Sequence, residues 1–174
     1  MTSHPPERMT DLFARDFDDL RVGDSFATRG RTIGEGDVSL FAGLTGDHHP
    51  LHTDATFAAA HPFGGRVAHG MLVASCAAGL VPFDPTRVLA LRRVRDVVFK
   101  KPVALGDTIR VEGALADLSP LGDDAGLVTV ELRVRNQDDA LVCRMGVDVL
   151  WRRGAAGGAD PAQEPSSEFV PIPL

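Results

Sequence analysis

Cysteine is scarce in this chain, with only Cys76 and Cys143 among 174 residues. Both lie in apolar runs, VASCAAGL and ALVCRMGV, with neither a CxxC partner nor a basic flank to form a thiolate. Each is therefore expected as a small buried hydrophobe rather than a disulfide or a nucleophile. Long hydrophobic runs are absent too: nothing reaches the roughly 20 apolar residues of a membrane span. The N-terminal MTSHPPERMTDLFARDF carries Pro, Glu and Asp where a secretion signal has its apolar run. Positive charge is not in excess. Eighteen Lys and Arg against 24 Asp and Glu leave a net charge of -6, opposite to the basic face that nucleic acid or an anionic membrane selects. No internal repeat is visible. A reduced, cytoplasmic protein with neither nucleic acid nor membrane as a partner is the expectation.

What the chain does contain is an ordinary globular mixture, 44% hydrophobic and 24% charged, in a length that suits one domain with a proper core. Residues 1–16 read as a polar lead-in. A turn at Gly23-Asp24 precedes a strand expected over 25–32. In GEGDVSLFAGLTG, Val38, Phe41, Ala42 and Leu44 fall on one helical stripe that Gly46 stops. A second short helix begins at Thr53 or Asp54, either of which can cap it. Residues 68–81, AHGMLVASCAAGLV, are apolar nearly all round, so a helix there must be wrapped by other structure on most sides. Four strand-like runs follow, over 87–100, 107–118, 126–136 and 140–152, with period-two alternation in VTVELRVR and VDVLWR. Several antiparallel strands after one buried helix describe an α+β fold, a sheet curled around a helix. Residues 153–174, rich in Gly, Ala, Pro and Ser, read as a flexible tail.

The chemistry concentrates in GDHHPLHTD, residues 46–54. Gly46 and Pro50 interrupt a helix, so the segment is expected as a loop that holds one carboxylate and three imidazoles within six positions. An Asp and a His brought to one point can share a water, one taking a proton while the other orients it or returns a proton. Two other readings of these residues stay open at this point. Asp47 can serve only to bind backbone N–H groups, or His49 and His52, spaced H-x2-H, can join Asp47 and Asp54 around a metal. Further on, FGGRVAHGML puts Gly70 at the start of the buried helix. There the first N–H groups lack internal acceptors and the helix dipole is positive. A glycine lets a carbonyl approach such a site, or is simply a packing glycine.

The pairing of GDHHPLHTD with RVAHGML resembles the MaoC-like dehydratases, which include the (R)-specific enoyl-CoA hydratases. The resemblance runs from about Phe17 to Trp151 and takes in FDDLRVGD and FKKPVALGDTI. It implies a hot-dog fold, with a curved antiparallel sheet wrapped around a central helix over residues 17–152, and two copies associated as a homodimer. It implies a lyase that adds water reversibly and syn to a 2-enoyl thioester, or runs the same chemistry as a 3-hydroxyacyl dehydratase. Asp47 and His52 would be the catalytic pair, with Asp47 the principal base. The Gly70 N–H would bind the thioester oxygen, and His49, His69 and Met71 would lie on the substrate side. No metal or other cofactor is implied, since CoA or phosphopantetheine arrives as part of the substrate. The family's Asn before Pro is His49 here, and a Ser found in some hydratases falls at Ala78. Arg87, Arg92, Arg93, Arg95, Lys100 and Lys101 are candidates to meet CoA phosphates or an acidic acyl carrier protein. In a strand, however, Arg92 points away from Arg93 and Arg95. A hot-dog thioesterase and a non-catalytic acyl-thioester-binding module are the alternatives.

Overall fold

The computed structural model describes residues 12–154. Residues 1–11 and 155–174, with most of the expected lead-in and nearly all of the expected tail, lie outside the described residues.

The sequence runs through a 3-10 turn at Phe17–Asp19, two short strands β1 (Ser25–Ala27) and β2 (Arg31–Thr32), and helices α1 (Glu35–Thr45), α2 (Pro50–Thr53), α3 (Ala55–Ala59) and α4 (Gly70–Leu80). Four long strands follow: β3 (Val88–Phe99), β4 (Thr108–Leu121), β5 (Ala125–Arg135) and β6 (Leu141–Arg152). The sheet is antiparallel throughout, in the order β1-β4-β5-β6-β3, with β2 pairing a further stretch of β4. The curved sheet wrapped around one helix is thus the arrangement the sequence predicts, and the four long strands match the expected runs to within a few residues. Turn chemistry closes the hairpins. Gly122, at φ 69°, turns the chain between β4 and β5. Between β5 and β6 the Asn136 side chain accepts from the Asp138 and Ala140 N–H groups, and Asp139 takes the left-handed conformation that Asp tolerates.

The strand expected over 25–32 is broken in two. Ser25–Ala27 and Arg31–Thr32 pair with β4 in registers one residue apart. Thr28 explains the break: its hydroxyl accepts the Val111 N–H at 3.0 Å and donates to the Arg29 carbonyl, substituting for a rung of the ladder.

The core lies between the concave face of the sheet and α4. Leu72, Val73, Ala74, Cys76 and Ala77 of the helix pack with Ile109, Val111, Val128, Val130, Leu132, Val147 and Val149 of the sheet. Wrapping is incomplete, however, because Met71, Ser75 and Gly79, spaced at four, form an exposed strip along α4. The lead-in also needs correcting. Leu12 and Phe13 are buried, and Phe13 packs edge-on to Phe26 and Phe83 and stacks on Trp151. Two sheet glycines make room for the same layer: a Cβ on Gly113 would fall 2.2 Å from the Phe26 ring, and one on Gly126 equally close to Phe17. Both cysteines are free and buried, and burial pushes their thiols up from the usual range.

In α1 the stripe is only partly right. Val38 and Ala42 face the core, but Leu44 is 84% exposed. Gly46, at φ 75°, ends the helix in a left-handed cap whose N–H reaches the Ala42 carbonyl.

Candidate active site

The loop after α1 is not a plain connection. Pro50 can open a helix because the first helical residue needs no N–H partner, and α2 forms one turn where the sequence suggests loop. His49 caps it, its Nδ1 accepting the Leu51 N–H at 3.2 Å. Asp54 caps α3, its carboxylate accepting the Thr56 and Phe57 N–H groups. Of the two cap positions the sequence allows, Asp54 is the one used. The exposed Asp47 closes an Asx turn, Oδ1 accepting the His49 N–H at 3.2 Å.

His52 is half-buried and fixed at one edge. Its Nδ1 lies 2.7 Å from the Val67 carbonyl. A carbonyl only accepts, so Nδ1 carries the hydrogen, and in the neutral ring Nε2 offers a lone pair. The Val67 segment is itself stitched in place: its N–H donates to the Leu51 carbonyl, and the Ala68 N–H donates to the Val103 carbonyl. Arg66 completes the clamp. Its Nε donates to the His52 carbonyl at 2.6 Å while its two NH groups grip Glu35 of α1 at 2.8 Å each. The Arg66 hydrogen bonds, helped by the Arg66 charge and the Ser39 hydroxyl, hold the Glu35 carboxyl below its usual range although burial pushes the other way.

His69, the residue before α4, is 2% exposed. Its Nε2 lies 2.9 Å from the Asp47 main-chain oxygen, and its ring lies over that of His52 with centroids 3.8 Å apart and planes at 29°. Asp47, His52 and His69 thereby bring one donor atom each within 4.8 Å of one another. A metal reading fits this group poorly. Nitrogen lone pairs lie in the ring plane, and two stacked rings direct theirs side by side rather than toward one point about 2.1 Å away. The other metal set, His49, His52, Asp47 and Asp54, is not assembled: Asp54 caps α3, and His49 binds the Leu51 N–H with its ring 6.1 Å from His52.

Beside this cluster opens an apolar cavity of about 390 Å³, lined by His49, Leu51, His52, Phe63, Val67, Ala68, Gly70, Val73, Phe99, Lys100, Lys101, Pro102, Val103 and Val142. His52, His49 and Gly70 thus face it together. Asp47, His69 and Met71 are not among its lining residues: Asp47 is exposed close to His52, His69 stacks on the His52 ring, and Met71 lies on the exposed strip of α4. Gly70 answers to both readings of its role. A Cβ there would meet the Phe99 ring at 2.7 Å, so any larger residue would have to displace that ring; the residue also starts α4, where the first N–H groups lack internal acceptors and can bind an anion-like oxygen.

The basic cluster disperses. Arg87 pairs with Asp16, and Arg93 and Arg95 pair with the buried Asp148 on β6. Of the cations singled out by sequence, only Lys100 and Lys101 line the cavity. Arg66, Phe99 and the Val67 carbonyl are the contributors that sequence reasoning misses. Arg66 carries a faint signal, a lone cation between Gly-Gly and a buried segment, whereas a main-chain carbonyl carries none.

Residues 19–137 match the family model of the MaoC like domain. The chain is 31% identical to the 3-hydroxybutyryl-CoA dehydratase of Methylorubrum extorquens over 75% of this chain and 92% of that protein. It is 33% identical to the (R)-specific enoyl-CoA hydratase of Aeromonas caviae over 70% of this chain and 88% of that protein. Protein MaoC of Klebsiella aerogenes is 42% identical over 57% of this chain, which there spans only 30% of the relative's length. Among solved structures, an Archaeoglobus protein described as a monoamine oxidase regulatory protein superposes with a TM-score of 0.75 at 36% identity, over 82% of this chain and 99% of that one. A Mycobacterium tuberculosis protein described as a double hot-dog fold superposes at 0.72 and 24% identity, over 88% of this chain and 52% of that one, a likeness of fold alone.

Proposed function

The chain belongs to the MaoC-like domain family, and from that premise we propose that it is a hydro-lyase adding water reversibly to a 2-enoyl thioester, or removing it from the 3-hydroxyacyl product. One observation carries the reading: Asp47 and His52 bring donor atoms within 4.8 Å of each other, and His52 faces an apolar cavity together with Gly70 at the start of α4. The relatives named as enoyl-CoA hydratase and 3-hydroxybutyryl-CoA dehydratase support the reaction class.

The thioester oxygen is received by the Gly70 N–H and the positive end of α4. Polarising that carbonyl makes the β-carbon electrophilic and the α-carbon basic once attacked. In the resting state the Asp47 carboxylate and the His52 Nε2 are both acceptors, so a water between them donates both hydrogens and turns an oxygen lone pair outward. The oxygen bonds to the β-carbon as Asp47 takes one proton of the water, and that same proton passes from the Asp47 carboxyl to the α-carbon on the same side. Water is added syn with atoms and charge in balance, and every step is carried by protons. His52, pinned through Nδ1 to Val67, orients the water.

Lys100 and Lys101 at the cavity suit the phosphates of CoA or of a carrier-bound phosphopantetheine arm. Among the described residues no strand pairs with the outer edge of β3, where Leu89, Leu91, Val94 and Phe99 are exposed, and this supports a homodimer in which a second copy extends the sheet. Two buried free thiols fit a reducing cytoplasm.

The test is to incubate the protein with a short 2-enoyl-CoA while following the conjugated double bond and free thiol together. Loss of the double bond without thiol is the expected result. Thiol release would make the protein a thioesterase, and absence of both with several acyl lengths would leave a binding module; either overturns the hydratase reading.

A further inference from the structure

Three features of His69 need one explanation. The ring is 2% exposed, it reaches across 22 residues to the main-chain oxygen of Asp47 at 2.9 Å, and it lies flat against His52 with centroids 3.8 Å apart. It does not line the cavity and lies behind the face of the His52 ring. Its other nitrogen, Nδ1, is buried and has no hydrogen-bond partner among the described residues. A hydrogen placed on Nδ1 would have no acceptor, and the Asp47 carbonyl can only accept, so the ring hydrogen belongs on Nε2.

We propose that His69 is the positioning residue of the site, setting the Asp47 main chain through Nε2–H and backing the His52 ring with its own face. The two stacked rings then carry opposite tautomers, Nδ1–H on His52 and Nε2–H on His69, each fixed by a main-chain carbonyl. The other ties of the loop between Gly46 and Pro50 are to near neighbours in sequence: the Asp47 N–H reaches Thr45 Oγ1 at 3.3 Å, the His48 N–H the Gly46 carbonyl, the His49 N–H Asp47 Oδ1, and the Thr53 hydroxyl the His48 and His49 carbonyls. His69 is the buried one among these anchors, and Phe41 of α1, its ring 5.1 Å away, closes the far side. A ring at this position therefore governs where the Asp47 carboxylate sits relative to His52 without touching the reacting atoms.

The kinetic test rests on the hydratase reading, while the spectroscopic test needs no substrate. In His69→Phe the stacking face remains and the donor is lost; in His69→Gln an amide N–H stands close to where Nε2–H was. With a 2-enoyl-CoA, His69→Phe is expected to lower kcat by about 10- to 100-fold while KM stays within about threefold, the pattern of misplaced catalytic groups. His69→Gln should recover most of the loss. In ¹⁵N spectra of histidine-labelled wild type, His69 should show the Nε2–H tautomer and His52 the Nδ1–H tautomer. Hydrogen exchange of the amides at 47–49 should quicken in His69→Phe and not in His69→Gln. Full kcat in His69→Phe overturns the proposal, as do equal losses of kcat in both variants or an Nδ1–H tautomer at His69. Should the wild type fail to turn over enoyl-CoA, the hydratase reading falls alone, and the tautomer and exchange measurements still decide the role of His69.

Discussion

At Asp47 the side chain is exposed yet held, because its Oδ1 accepts the His49 N–H while its main chain is tied to His69. Asn can keep that first hydrogen bond and cannot take a proton. Asp47→Asn is therefore expected to lower kcat by about 10²- to 10⁴-fold, the range for a lost acid–base group, with an unchanged Tm; steady-state rates beside a thermal melt check both. Asp47 and His52 were legible as candidates because residue types that carry chemistry crowd into six positions. His69 was legible only as part of a motif, since its partner is a main-chain oxygen 22 residues away. The Val67 carbonyl was not legible at all. Main-chain acceptors leave no mark on a sequence, and they fix both imidazoles here.

Short elements were where local chemistry and the tertiary structure disagreed most. Pro50 reads as a breaker, yet with His49 capping in front of it the same proline starts a turn of helix. The polar hydroxyl of Thr28 splits what period-two alternation presents as one strand. Leu44 fits the helical stripe by spacing, but α1 ends one residue later and leaves it outside the packed layer. The sequence offers Thr53 or Asp54 as the cap before TFAAA, and Asp54 is the one used. Its carboxylate satisfies two N–H groups of α3, and its own N–H closes α2 on the Pro50 carbonyl. Asp54→Ala should cost about 1 kcal/mol, read as a lower urea midpoint with an unchanged slope. His52, clamped by Arg66 and Val67 instead, should keep its place.

For the molecule as a whole, the long strands were readable to within a few residues because each has one face against the core and the period of two survives. Less readable was the outer face of the sheet, where Asp148 is 1% exposed beneath Arg93 and Arg95. Burial pushes its carboxyl up, but hydrogen bonds from Thr129 and Arg93 and the two guanidinium charges outweigh that and hold it below the usual carboxylate range. A carboxylate depressed in the folded state stabilises it fully above its unfolded value near 3.9, and loses that contribution as pH falls through the lower folded value. Wild-type Tm should thus hold steady above about pH 5 and fall below about pH 4. Asp148→Asn should melt lower at pH 7, by about 1–3 kcal/mol, and lose less on acidification; melts across pH 3–7 check this. The aromatic layer beneath the sheet has an optical consequence. The chain has one tryptophan and no tyrosine, and the Trp151 indole is buried, stacked on Phe13 and bonded through Nε1–H to the Arg15 carbonyl at 2.9 Å. Tryptophan emission therefore originates at the seam between β6 and residues 12–16, and a red shift signals that this seam has opened to water.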